Sequence, residues 1–106
     1  MSEVLRRVLH LISRGEIKIS EHGYEELAAD GIRAREVIEG VHQAQLIEEY
    51  PDYPKGPCVL VLQQDTDGKP IHVVWGIPLG LHTPAVLVTS YRPDPDRWTD
   101  DFMRRK

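Results

Sequence analysis

The sequence has a single cysteine, Cys58, so no disulfide can form within the chain, and its place at the head of an apolar run reads as a small buried hydrophobe. No stretch approaches the roughly 20 consecutive apolar residues that a membrane-spanning helix needs, so no membrane contact is expected. The start, Met1-Ser-Glu-Val, has no basic segment followed by an apolar one. No secretory leader is therefore read, and a cytoplasmic setting is expected. Glycine-rich phosphate loops and G-x-S-x-G turns are missing, as is any Ser, His and Asp set in a recognisable context. The five histidines, His10, His22, His42, His72 and His82, show neither H-x-H nor H-x-x-x-H spacing, and one cysteine cannot make a thiolate cluster. No metal and no cofactor are expected. Positive charge is short as well: 13 Lys and Arg against 17 Asp and Glu give a net charge of −4. That argues against a broad nucleic-acid surface, which needs clustered Lys and Arg.

What is present is the composition of an ordinary globular protein, 41% hydrophobic and 28% charged over 106 residues, enough for one domain spanning 1–106 with a modest core. The charge is uneven. Residues 41–70 carry two basic against five acidic side chains, while the chain ends Arg104-Arg105-Lys106.

The organising stretch runs from Cys58 to Arg92. It holds three apolar runs, 58–62, 71–77 and 85–91, the first two joined through Asp67-Gly68, a strong hairpin signal, and the last two by a proline-punctuated loop. Three helices are expected before it. The first spans Ser2 to Arg14, with Val4, Leu5, Val8, Leu11 and Ile12 on one face and Ser2 as N-cap. The second runs from Glu21 to about Asp30, capped by Ser20, with Tyr24, Leu27 and Ala28 as its apolar face; Gly23 weakens it by roughly 1 kcal/mol relative to Ala. The third is short, from Ala34 to about Glu39, and turns Val37, Ile38 and Val41 inward. Lys18 and Ile19 read as an extended link or an edge strand. Gln43 to Tyr50 reads as an edge strand, with Ala44, Leu46 and Glu48 on one side and Gln45, Ile47 and Glu49 on the other. After Arg92, a proline-rich turn is expected to lead into a short C-terminal helix whose Trp98 and Phe102 fold back on the domain. The fold class is α+β: two to three N-terminal helices packed on a curled antiparallel sheet of about four strands.

Two histidines stand out. His22 lies in the first turn of its helix, where the positive end of the macrodipole disfavours the imidazolium, as a general base requires. Read blandly, it is a surface histidine. His72 sits inside an apolar strand and shares a face with Val74 and Gly76, whose small side chain leaves room for a ligand, while Ile71, Val73, Trp75 and Ile77 line the other face. Its bland reading is a buried histidine satisfied by a backbone carbonyl. Thr89 and Tyr91 alternate onto one face of the last strand, Ser90 and Arg92 onto the other, and Arg92 stands where a strand end can present a cation.

Several short motifs in fixed order resemble a bacterial family without assigned function, the domain-of-unknown-function family 4258. They are Ser20-Glu-His22 opening a helix, Asp30-Gly-Ile32 with Val37-Ile38, Tyr50-Pro51, Gly68-Lys-Pro-Ile-His-Val-Val74 and Val88-Thr-Ser-Tyr-Arg-Pro-Asp94 followed by Trp98. The resemblance covers about residues 17–98. That family is in turn similar in layout to the small RelE-like ribonuclease toxins, which implies RNA cleavage at an internal phosphodiester without a metal. The chemistry needs a base for the 2′-hydroxyl, an acid for the leaving oxygen and a cation for the phosphorane charge. By this resemblance His22 is the base, His72 the acid and Arg92 the cation, with Tyr91 beside them and Thr89 and Lys69 binding substrate. RNA and a cognate antitoxin-like protein are the partners it implies. The departure is charge: such toxins are basic and this chain is acidic. A second reading from a different class therefore stands beside the first, a non-catalytic protein-binding or regulatory module of the same fold with structural histidines. Convergence of His22, His72 and Arg92 or Tyr91 on one open cleft separates the two.

Overall fold

Helix formation begins at Ser2, whose hydroxyl oxygen accepts the Leu5 amide at 3.0 Å and satisfies one of the free N–H groups of the first turn. Helix α1, Glu3–Ser13, then buries Val4, Val8, Leu11 and Ile12 at three-and-four spacing. The computed structural model of the chain describes residues 2–106. After α1 come strand β1 (Ile17–Ile19), helices α2 (Glu21–Ala29) and α3 (Ala34–Gly40), and a single 3₁₀ turn over Val41–Gln43. Strands β2 (Gln45–Tyr50), β3 (Cys58–Gln64), β4 (Pro70–Gly76) and β5 (Ala85–Tyr91) complete the regular structure.

The strands form one open sheet in the order β1-β5-β4-β3-β2. The β3–β4–β5 meander is antiparallel, as the Asp67-Gly68 signal implies, with Gly68 at a φ of 77° in the turn. Two expectations are corrected. The sheet has five strands rather than four, and it is mixed rather than antiparallel, because Ile17–Ile19 is an edge strand that pairs parallel with β5 through Ile17–Ala85 to Ile19–Leu87. Three residues suffice there because α2 follows at once and lies on β5: the Ser20 hydroxyl donates to the Val88 carbonyl while its oxygen accepts the Gly23 amide, each at 2.9 Å.

The helices cover one face of the sheet. Val59, Val61, Ile71, Val73, Trp75, Ala85 and Leu87 meet Val4, Val8, Leu11, Leu27, Val37 and Val41 in the core. A buried amide stitches this face together: Gln63 Nε2 donates to the Val37 carbonyl at 2.7 Å while its Oε1 accepts the Trp75 indole N–H at 3.0 Å. On α2 the packed positions are Gly23 and Leu27; Tyr24 and Ala28, expected to face inward, are exposed. The reason is close approach. A Cβ on Gly23 would lie 2.7 Å from the Leu87 carbonyl oxygen, so the glycine lets α2 sit directly on the β5 backbone.

The expected C-terminal helix is absent. Residues 93–106 form an irregular loop closed on itself by Thr99 N–H to Arg104 O at 2.8 Å and Lys106 N–H to Arg97 O at 2.9 Å. Aspartates take the amides that a helix would use internally: Asp94 accepts from Asp96 N–H and Asp101 from Met103 N–H, while Phe102 takes a left-handed φ of 59°. Trp98 does fold back, but onto the face opposite the helices.

Candidate functional site on the open sheet face

The pleat places His72, Val74 and Gly76 on the face away from the helices. Their cross-strand partners on β5 are Tyr91, Thr89 and Val86, and on β3 Leu62, Leu60 and Cys58. On β2 the alternation is broken. A bulge at Ile47 shifts the register between Leu46 and Glu48, so Glu48 and Tyr50 join the open face while Leu46 and Glu49 face α1. Glu49 accepts from both the Ser2 hydroxyl and the Val4 amide of α1. Strict alternation, which groups Glu48 with Leu46, is corrected by that single inserted residue.

One half of the open face is a trough of about 650 Å³. Cys58, Val74, Gly76 and Val86 line it, with Tyr50 on the β2 side and His22, Val88 and Thr89 on the β5 side. The lining is mostly apolar. Among the described residues, His22 and Lys55 are its only basic ones, and no carboxylate lines it. Burial pushes the Cys58 thiol pKa up, away from the thiolate that a nucleophile would need. The His22 side chain is well exposed, its Nε2 3.6 Å from Glu26 one helical turn on.

The other half lies under residues 93–106. His72 has no exposed surface. Its Nε2 is 2.8 Å from the Phe102 carbonyl oxygen and its Nδ1 3.2 Å from the Tyr91 hydroxyl. A carbonyl can only accept, so Nε2 carries the proton and Nδ1 accepts from Tyr91. Trp98 stands edge-on to the imidazole, 4.3 Å between centroids at 86°. Burial, with the nearby Arg105 charge adding to it, lowers the His72 pKa, and burial raises that of Tyr91. Arg105 closes the arrangement. Its guanidinium lies 4.9 Å above the Trp98 ring and pairs with Glu48, which also accepts the Tyr50 hydroxyl at 2.6 Å. Those bonds from Tyr50 and Arg105 hold the Glu48 carboxyl below its ordinary range.

The sequence-derived candidates therefore fall into three places. His22 and Thr89 line the trough. His72 and Tyr91 are bonded to each other on the same face, beneath the C-terminal loop. Arg92 lines a second cavity with Tyr91, Trp98 and Arg105 beside the C-terminal loop, and Lys69 lies elsewhere. Arg92 pairs with Asp65 at 2.9 Å, and its amide donates to Asp30 at 2.8 Å, which ties the end of β5 to the β3–β4 turn and to the end of α2. Lys69 is exposed in that turn, where its backbone closes on Asp65. Among the described residues, no three His, Cys, Asp or Glu side chains gather to hold a metal ion. No helix among them is long and apolar enough to cross a membrane. Glu48, Tyr50 and Arg105 escaped the sequence reading. The acidic stretch 41–70 facing a basic tail was the one available signal for the Glu48–Arg105 pair.

The model of a family described as a domain of unknown function, DUF4258, matches residues 19–92. No curated protein and no solved structure matches the chain. The match ends at Arg92, so the loop over His72 lies outside it.

Proposed function

The chain belongs to the DUF4258 family, and from that premise we propose that it is a non-catalytic protein-binding module that receives its partner on the open face of the sheet. The observation that carries this reading is the state of His72. With no exposed surface and both ring nitrogens bonded within the chain, the imidazole serves as a structural post. A general acid has to reach the atom it protonates. The trough beside it is apolar, and the loops flanking it expose Tyr53, Leu79 and Leu81. Exposed apolar surface around a concave face is the usual mark of an interaction site.

The test uses the neutral dye Nile red with the folded full chain. Dye fluorescence should rise on binding and be lost in Val88→Arg, a substitution on the trough's rim, with the melting temperature unchanged. Equal dye binding in that variant would remove the trough from the reading.

One observation favours ribonuclease chemistry of the RelE-like kind. His22 and Thr89 line the same trough, and Tyr91 and His72 follow along the same face. In that reading His22 is the base and the C-terminal loop lifts to free His72 as the acid. Total bacterial RNA incubated with purified folded chain should stay intact if the binding reading is right. Fragmentation that His22→Ala abolishes would replace it with the nuclease.

A further inference from the structure

The C-terminal loop shows how a foreign segment would seat on the open face. Residues 93–106 are closed by their own main-chain bonds, and the loop meets the domain through a few anchors, two of them side chains and one a backbone carbonyl. Trp98 packs against His72, the Phe102 carbonyl accepts a hydrogen bond from His72 Nε2–H, and Arg105 pairs with Glu48. Each anchor lands on a residue of the family-matched region 19–92, and the loop itself lies beyond it. The region 19–92 thus meets an aromatic side chain stacked with a basic one, through His72 and Glu48.

We propose that this seat is a docking site for a loop or tail of a partner protein that presents an aromatic and a basic side chain together, and that residues 93–106 occupy it as an intramolecular stand-in. The inference rests on the protein-binding reading and names the partner's chemistry. Charge complementarity supports it: the charged group that the loop meets in the seat is the Glu48 carboxylate, which pairs with Arg105. A carboxylate at that point favours a cationic side chain over a phosphate. Continuity supports it too. Tyr50, bonded to Glu48, also lines the trough, and Val74 and Thr89 continue the strands beyond His72 and Tyr91. A partner segment longer than the loop would fill the seat and run on into the trough, burying apolar surface that the chain's own loop leaves open. That added burial is what lets it displace a tethered competitor.

The experiment uses the full chain and a fluorescein-labelled peptide of residues 93–106, followed by anisotropy. In Trp98→Ala/Arg105→Ala the tethered loop no longer competes, and peptide affinity should exceed that of wild type by at least about tenfold, as expected for removal of an intramolecular rival. Adding Glu48→Lys should abolish binding, and a peptide carrying Arg105→Glu should restore it. A folded double variant that does not bind the peptide overturns the proposal, as does binding indifferent to Glu48→Lys. So does preferential capture of a labelled single-stranded RNA. If the double variant fails to fold, Arg105→Glu alone, which keeps Trp98 in place, decides the matter by the same titration. Nile red binding to the trough together with absent peptide binding would sink this inference and leave the binding reading standing.

Discussion

His72 Nε2–H donates to the backbone carbonyl of Phe102 at 2.8 Å, and this one bond fixes the chemical state of the histidine. It places the proton on Nε2 and leaves Nδ1 to accept from Tyr91, so the ring is neutral and fully satisfied inside the protein. Of the two readings the sequence allowed, a candidate acid or a buried histidine satisfied by a backbone carbonyl, the structure has the second. His72 is the point where the C-terminal loop is fastened to the sheet.

The first prediction concerns pH. Burial lowers the folded-state pKa of His72 below the ordinary value of about 6.5. Between those two values the unfolded chain binds the proton and the folded chain does not, so stability rises with pH across that window. Urea unfolding should therefore show full stability above about pH 6.5 and a progressive loss as the pH falls below it. His72→Gln should flatten that part of the profile. An unchanged profile in the variant would assign the dependence to other groups.

Gln63 carries the second. It is buried and bonds the Trp75 indole and the Val37 carbonyl at once. Gln63→Leu keeps the volume but strands both partners without water. The loss should be about 2–3 kcal/mol in denaturant unfolding, the usual cost of orphaned buried polar groups.

Gly23 supplies the third, where two effects compete. Gly to Ala in a helix interior gains roughly 1 kcal/mol in propensity. Here the new methyl would meet the Leu87 carbonyl oxygen at 2.7 Å, and backbone cannot move aside cheaply. Overpacking of this kind costs typically 1–3 kcal/mol, so Gly23→Ala should lower the melting temperature. A rise would mean that α2 can lift off β5.

Ser90 gives the fourth. Its hydroxyl is buried on the helix-covered face with no hydrogen-bond partner among the described residues. Removing an unpaired buried hydroxyl relieves a desolvation cost, and Ser90→Ala should stabilise the chain by about 0.5–1 kcal/mol. A loss of stability on thermal unfolding would show that the hydroxyl is satisfied after all.

Helix starts and strand faces were legible because they depend on neighbours in sequence. Ser2 and Ser20 cap where their spacing to the first apolar residues says they should. The odd positions from Ile71 to Ile77 go to the core because a pleated strand alternates. Glu48 was misread because a bulge is invisible to period-two reasoning. Tyr24 was misread because helical spacing does not say that a glycine one position earlier is the point of contact. The two-sided grip of Arg92 on Asp65 and Asp30 was beyond reach, since its partners lie in turns remote in sequence.

The sequence by itself determined the α+β class, the meander, and that His72 shares a strand face with Val74 and Gly76, since all three follow from local turn chemistry and periodicity. Only the tertiary structure decided that His72 is closed off and His22 is open. That difference comes from where residues 93–106 come to rest, and it is set by contacts of Trp98, Phe102 and Arg105 with residues tens of positions away.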